Sequence, residues 1–188
     1  MKRCDWAVSS ELEAEYHDEV WGVPVHDDRL LFEMLTLEGA QAGLSWKTVL
    51  QKRVGYQKAF ENFDIKKVSK YTDSKKNKLH LNSEIIRNKL KISATVENAK
   101  RILEIQKEYG SFDQFIWSFV NGKPIQNSWK KQSDVPSTTP ESEAMSKSLK
   151  KKGFKFVGPT ICYAYMQATG MVNDHLVDCF CYKQIKKR

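Results

Sequence analysis

The chain has 188 residues, 40% hydrophobic and 11% aromatic, enough to build one domain or two small lobes on a shared core, which excludes a globally disordered chain. Lys and Arg number 31 against 23 Asp and Glu, a net charge of +8 that favours a polyanionic partner, nucleic acid before an acidic membrane surface, although an ordinary basic soluble protein shows the same balance. The N-terminus (Met1 to Trp6) has no apolar signal core and no run is long enough to span a membrane, so the expected location is cytoplasmic; four cysteines there are read as free thiols or metal ligands rather than disulfides.

The pattern is helical almost throughout, and the expected fold class is all-α. Ser9 or Ser10 can cap a helix over 11–20, Asp27 or Asp28 one over 30–38, and Ser45 one over 46–60. The lysine-rich stretch 66–78 lacks apolar periodicity and reads as a solvated helical face. Ile92, Val96, Ala99 and Leu103 mark a long amphipathic helix, and Ser111 precedes a short one over 112–120. Residues 121–139, with Pro124 and Pro136, read as a long loop between lobes in which Trp129 packs. Pro140 suits the first turn of a helix over 141–152 that Gly153 ends, and a last long helix runs over 159–169 up to Gly170. No strand pattern of useful length and no internal repeat is present.

The stretch from Leu37 to Trp46 closes an apolar helical run with a carboxylate (Glu38), two glycines (Gly39, Gly43) and an indole. A carboxylate at the end of a buried face is costly unless something pairs with it or uses it, and glycines permit tight turns or close approach to a ligand. Acid, loop and aromatic plate together suggest a pocket for a flat polar or cationic ring.

Cys4 and His17 lie near one end of the chain, His175 and Cys179 near the other. Cys₂His₂ is a closed tetrahedral zinc set, structural rather than catalytic, but the Cys4–His17 spacing is not that of a zinc finger, so free thiols and ordinary histidines are the alternative. His175 and Cys179, four apart, share a face on a helix or helical turn. Cys181 is a competing ligand that would point elsewhere on a helix, and Cys162 reads as a core thiol. Between the last two long helices, residues 151–160 (KKGFKFVGPT) form a glycine-bounded hairpin whose amides and lysines could meet a phosphate, although an ordinary helix–turn–helix corner has the same pattern.

With the hairpin in place, further motifs complete a resemblance: Arg3-Cys4-Asp5-Trp6, Tyr16-His17-Asp18, Trp21-Gly22-Val23-Pro24, Leu37 to Trp46, Ile85-Ile86-Arg87-Asn88, Trp117-Ser118-Phe119-Val120-Asn121, Gly153 to Gly158 and Val172-Asn173-Asp174-His175. From Cys4 to Tyr182 the chain resembles the DNA-3-methyladenine glycosylase I family of the helix–hairpin–helix glycosylase superfamily. It departs from the family pattern at Val20, where Glu usually precedes the Trp, and in the lysine-rich stretch 71–81.

The resemblance implies a single domain over 1–188 with two helical lobes, a helix–hairpin–helix at about 141–170, and one structural zinc ion held by Cys4, His17, His175 and Cys179 that joins the termini. It implies hydrolysis of the N-glycosidic bond of 3-methyladenine in double-stranded DNA by a monomer. Glu38 is the implied catalytic carboxylate, and Trp6, Tyr16, Trp21, Glu38 and Trp46 line the implied base pocket; Trp117 and Trp129 are left to the core. Gly153, Lys155 and Gly158 are expected at the DNA backbone, with Arg87, Lys151 and Lys152 as further candidates, and the loop 41–44 as filler of the gap left by the base. Pro159 and Thr160 stand where related enzymes carry a Schiff-base lysine, so strand cleavage is not expected; the usual Asp is also missing, with Asn173 and Asp174 nearby. The competing readings are a non-catalytic, zinc-stapled module that binds damaged DNA, and a zinc hydrolase, which four protein ligands disfavour.

Overall fold

The computed structural model describes residues 1–186, and the chain is helical as expected, with two residues of sheet on either side of one pairing. A 3₁₀ turn (Asp5–Val8) leads into α1 (Glu11–Glu19), whose N-cap is Ser10; its side chain accepts the Glu13 N–H. Helix α2 (Asp28–Gln41) is capped by Asp27, whose Oδ1 accepts the Leu30 N–H at 2.8 Å. Every residue from Leu31 to Ala40 is buried, Glu33, Thr36 and Glu38 among them, so α2 is enclosed on all sides and forms the central rod of the fold. Asp28 serves a different helix: its carboxylate accepts the N–H groups of Phe112 and Asp113 at 2.9 and 2.8 Å.

Two expected boundaries are corrected here. Helix α2 does not end at Glu38 but runs three residues further, because Gly39 and Ala40 remain buried against neighbouring elements. The stretch 46–60 is two helices, α3 (Trp46–Leu50) and α4 (Arg53–Ala59), broken where the Lys52 N–H turns back to the Val49 carbonyl. The lysine-rich region folds as α5 (Ile65–Val68) and α6 (Asp73–Leu81), held by Ile65, Val68 and Leu79, with Lys66, Lys67, Lys70 and Lys78 exposed and Lys75 and Lys76 half-buried. Helix α7 (Lys89–Tyr109) buries Ile92, Val96 and Ala99 as expected; the face continues through Ile102 and Ile105, while Leu103 is only partly buried at its edge. Helix α8 (Phe112–Trp117) passes into a 3₁₀ turn (Ser118–Val120).

The loop beyond it is tied down at β1 (Ile125–Gln126), which pairs in parallel with β2 (Val172–Asn173). Helices α9 (Pro140–Lys151) and α10 (Pro159–Ala168) follow as an antiparallel-style pair joined by a seven-residue turn, each with proline in its first turn. A short final helix, α11 (Phe180–Ile185), has too little periodicity to be read from its residues. One continuous apolar core runs from Cys4 to Cys181 and includes Trp117, with Trp129 packed at its margin, as expected of both. No helix among the described residues is long and apolar enough to cross a membrane.

The segment after α1 crosses the C-terminal end of α10: Gly22 N–H donates to the Gln167 carbonyl and Val25 N–H to that of Thr169. Gly170 makes this crossing possible. Its φ is +71°, and a Cβ there would lie 2.4 Å from the Pro24 nitrogen. Gly170→Ala is therefore expected to cost about 3 kcal/mol or more, through backbone strain and overlap with main chain that cannot yield. Urea unfolding checks this; a loss below 1 kcal/mol would show that the crossing is not rigid.

Candidate base pocket and metal cluster

A cleft of about 280 Å³ opens where α1, α2, α3 and α10 converge, lined by Trp6, Glu13, Tyr16, Trp21, Glu38, Gln41, Trp46, Gln132, Ala164 and Gln167. Three helices each present two positions one turn apart: Glu13 and Tyr16, Glu38 and Gln41, Ala164 and Gln167. All five aromatic and acidic residues expected at a base pocket are thus brought together. The volume is at the small end for ligand sites and suits one flat ring system.

The aromatic walls are paired and inclined. Trp6 and Trp21 meet edge to face with centroids 5.1 Å apart, and Tyr16 and Trp46 are tilted at the same separation. Tyr16 lies 6.3 Å from Trp6 and links the two pairs.

Three polar groups of the cleft lack partners. Glu38 is 4% exposed, its carboxyl pushed up to about 8 by burial, and no side chain or amide among the described residues hydrogen-bonds to it. Tyr16 Oη and Trp46 Nε1 are buried without a hydrogen-bond partner. Burial, then the nearby Glu38, holds the Tyr16 phenol well above its ordinary range, so it remains a neutral donor. One acceptor and two donors, all unsatisfied, bound a space walled by aromatic rings. Buried polar groups are almost always satisfied in native proteins, so this concentration points to a ligand that supplies the complement.

Glu13 is different: its carboxylate accepts from the hydroxyls of Ser9 and Ser10, completing the start of α1. Asp174 is different again. Its Oδ1 accepts from Asn127 Nδ2 and Trp129 Nε1, both at 2.7 Å, and its Oδ2 from Tyr163 Oη at 2.6 Å and Gln167 Nε2 at 2.8 Å. Four donors occupy its lone pairs. Asp174 ties the 121–139 loop to α10 and has no acceptor capacity left for a water.

The two glycines after Glu38 separate in role. Gly43, at φ +78° in an exposed turn, lines a second cleft with Glu38, Gln41, Ala42, Leu44, Thr160, Ile161 and Ala164, and so lies at the lip of the site. Gly39 does not line the base cleft. It is helical, and a Cβ there would come 3.2 Å from Phe156 Cβ, so its lack of a side chain lets the α9–α10 turn seat on α2.

Beside the aromatic wall, Cys4, His17, His175 and Cys179 are buried with one ligand atom each inside a 4.8 Å cluster. His17 Nε2 lies 3.2 Å from His175 Nδ1 and 3.4 Å from Cys179 Sγ; His175 Nδ1 lies 3.8 and 3.6 Å from the sulfurs of Cys4 and Cys179. Tetrahedral bonds of about 2.0–2.1 Å to nitrogen and about 2.3 Å to sulfur set ligand atoms roughly 3.3–3.8 Å apart, and these four separations lie close to that range. The outward nitrogens are already engaged, His17 Nδ1 with Asp18 at 2.8 Å and His175 Nε2 with the Trp21 carbonyl at 3.1 Å. Arg3 holds Asp18 in turn and keeps its carboxyl below the usual range.

His175 and Cys179 share a turn, one of the two expected placements, with Cys179 as the N-cap of α11. Cys181 stays outside the four-atom cluster, as expected, but is not remote from it: α11 starts just before it and its buried sulfur lies 3.9 Å from His17 Nδ1, on the outer side of that ring. Cys162 is a core thiol as expected, pushed up to about 12 by burial.

In the α9–α10 turn, Gly153 takes φ +87° and Gly158 caps α10 with open space around it. Pro159 has no N–H, which leaves the amides of Thr160 and Ile161 as first-turn donors. Lys151, Lys155 and Arg87 are exposed. Lys152 is not free for a phosphate: it pairs with Glu108 at 2.8 Å and lies over the rings of Tyr109 and Phe115.

Gln132, Ala164 and Gln167 were not read from the sequence, and Gln41 was read only as part of the 41–44 loop, not as a pocket residue. Gln41 stands one helical turn after Glu38, a signal that was available; the others arrive through tertiary packing of the loop and of α10.

Comparison with known proteins places the chain in a family. The family model described as methyladenine glycosylase matches residues 6–182. DNA-3-methyladenine glycosylase 1 of Escherichia coli (strain K12) is 48% identical over 182 residues, 97% of this chain and 97% of that protein. DNA-3-methyladenine glycosylase of Haemophilus influenzae (strain ATCC 51907 / DSM 11121 / KW20 / Rd) is 49% identical over 179 residues, 95% of this chain and 97% of that protein. A crystal structure of 3-methyladenine DNA glycosylase I superposes with a TM-score of 0.93 at 48% identity, covering 96% of this chain and 99% of that one.

Proposed function

The chain belongs to the methyladenine glycosylase family, and we propose on that premise how its cleft performs the reaction. It is a DNA-3-methyladenine glycosylase, an enzyme of base-excision repair that hydrolyses the N-glycosidic bond of 3-methyladenine. Methylation at N3 makes the base cationic and weakens its bond to deoxyribose. The base departs as neutral 3-methyladenine once water attacks the sugar carbon, so the enzyme needs little general-acid power. Its work is to hold the extruded base and stabilise the positive charge.

The observation that carries this reading is the unpartnered, buried carboxylate among aromatic walls. Glu38 accepts from the exocyclic amine of adenine, which balances the cost of its burial, and its negative charge favours the cationic form. Trp6, Tyr16, Trp21 and Trp46 surround the ring, where cation–π attraction contributes on the order of 1–2 kcal/mol when desolvated. The Tyr16 hydroxyl and Trp46 N–H supply donors to the ring nitrogens.

The working form is read as a monomer on double-stranded DNA in the cytoplasm. The α9–α10 unit acts as a helix–hairpin–helix in which Gly153, Lys155 and Gly158 face the phosphate backbone, with Lys151 and Arg87 alongside. Gln41, the last residue of α2, and the exposed loop 42–44 stand at the lip, where they can fill the space left by the flipped base. Cys4, His17, His175 and Cys179 hold one zinc ion as a staple between the two ends of the chain, next to Trp21; four protein ligands leave no open position for a reacting water. With Pro159 and Thr160 after the hairpin and Asp174 fully hydrogen-bonded, the chain offers neither a Schiff-base lysine there nor a free carboxylate at that end of α10.

Chromatography of methylated duplex DNA after incubation tests this. Free 3-methyladenine and a strand that breaks only after alkali are expected. Strand breaks without alkali would overturn the monofunctional reading, and binding without base release would favour the non-catalytic damaged-DNA module.

A further inference from the structure

Helix α7 packs on the core through apolar residues, yet one stripe of that face is polar: Lys91, Thr95 and Asn98, spaced four and three residues apart. Lys91 Nζ donates to the carbonyls of Ala40 at 2.8 Å and Ala42 at 2.7 Å. These are the last turn and the cap of α2, directly after Glu38 and at the base of the 42–44 lip. An ammonium there satisfies orphan carbonyls and complements the helix dipole. Two turns further along, buried Asn98 grips both polar atoms of one hairpin residue. The Lys155 N–H donates to its Oδ1 at 2.8 Å, and its Nδ2 donates to the Lys155 carbonyl at 3.0 Å. Thr95 lies between and returns its hydroxyl to the Lys91 carbonyl at 3.0 Å.

An apolar stripe would bury at lower cost, so packing alone does not account for these residues. What they add is direction. Phe156, next to the gripped residue, has a left-handed backbone (φ +54°) and rests on Gly39, so α2, the hairpin and α7 meet at one point. Unlike van der Waals contact, the paired hydrogen bonds fix both spacing and angle there.

We propose that Lys91 and Asn98 are positioning residues for the glycosylase: from one face of α7, Lys91 sets the end of the helix that carries Glu38, and Asn98 sets the hairpin on the DNA backbone. The span between base pocket and phosphate grip is thereby fixed by two turns of helix, about 10 Å. Neither residue touches substrate. The inference rests on the reading of the hairpin as a DNA contact.

Titrations of the wild type, Lys91→Met and Asn98→Ala with free 3-methyladenine and, separately, with undamaged duplex test it. Lys91→Met is expected to weaken free-base binding about tenfold and leave duplex affinity within twofold; Asn98→Ala is expected to do the reverse. Lys91→Arg, which retains the charge and the donors, should recover most of the free-base binding, and Lys91→Gln replaces the Met variant if that protein does not fold. Loss of both affinities together, in either variant, would reduce the stripe to general stability and overturn the proposal, as would affinities that do not move. Gly158→Asp separates the parent reading, because it adds a negative charge at the hairpin amides where there is room for a side chain. Duplex affinity unchanged by Gly158→Asp defeats the hairpin reading and the proposal with it; affinity changed by Gly158→Asp but not by Asn98→Ala defeats the proposal alone.

Discussion

Glu38→Gln is expected to lower kcat/KM for 3-methyladenine release at least a hundredfold at pH 8 while making the folded protein more stable. Both effects follow from one carboxylate buried without a partner. With its charge gone, the cationic base loses its counter-charge, and the amide can present an N–H where an acceptor is required. The stability change has a definite sign. The carboxyl is pushed up from 4.5 to about 8 in the folded state. Below pH 4.5 it is protonated folded and unfolded, and stability is unaffected. Between there and pH 8 the folded protein holds a proton that the unfolded chain has released, so stability falls as pH rises. By pH 9 the cost is on the order of 5 kcal/mol, and the Gln variant is relieved of it. Thermal melts at pH 5 and pH 9 should therefore nearly coincide for the two proteins at the lower pH and separate by several degrees at the higher. Activity of the wild type should rise toward pH 8 as the carboxylate forms, with a flat profile in the variant. A Gln variant with wild-type turnover, or one less stable than wild type at pH 9, would contradict this account.

Cys179→Ser is expected to lose the bound metal and to lower the melting temperature by more than 10 °C. A structural zinc site contributes its binding free energy directly to folding, about 10–16 kcal/mol in small zinc domains. The cluster here joins residues 4 and 17 to residues 175 and 179, so its loss frees both ends of the chain and the Trp21 wall of the base cleft. Cys181→Ser is the paired control. Its sulfur faces the outer nitrogen of His17, which Asp18 already engages, so metal content and melting temperature should stay close to wild type. Metal analysis of the purified proteins reads both. Zinc retained in Cys179→Ser, or lost in Cys181→Ser, would reassign the ligands.

The helices were legible where one local signal governed them. Ser10, Asp27, Ser45 and Ser111 cap where expected, and the spacing of Ile92, Val96 and Ala99 marks the buried face of α7. The errors come from tertiary contact overriding local signals. Gly39 looked like a loop residue because glycine favours turns; it stays helical because Phe156 needs the space above it. Cys181 lies outside the four-ligand cluster as expected, but its place against the outer side of the His17 ring depends on where α11 begins, which no local signal marks. The aromatic and acidic residues of the pocket were reached through motifs, since Trp6 and Trp46 are far apart in sequence and no periodicity links them. Gln132 and Gln167 carry no such mark; loop packing and the face of α10 bring them to the cleft. The satisfied state of Asp174 could be seen only with its four donors in place.

The central claim is that the Glu38 carboxylate reads the edge of the base. Calorimetric titration of the wild type with free 3-methyladenine and with 3-methylguanine tests it most directly, because guanine presents a carbonyl where adenine presents an amine. The account predicts at least tenfold tighter binding of 3-methyladenine, with the preference abolished in Glu38→Ala. Equal affinities in the wild type, or a preference that survives in Glu38→Ala, would contradict it.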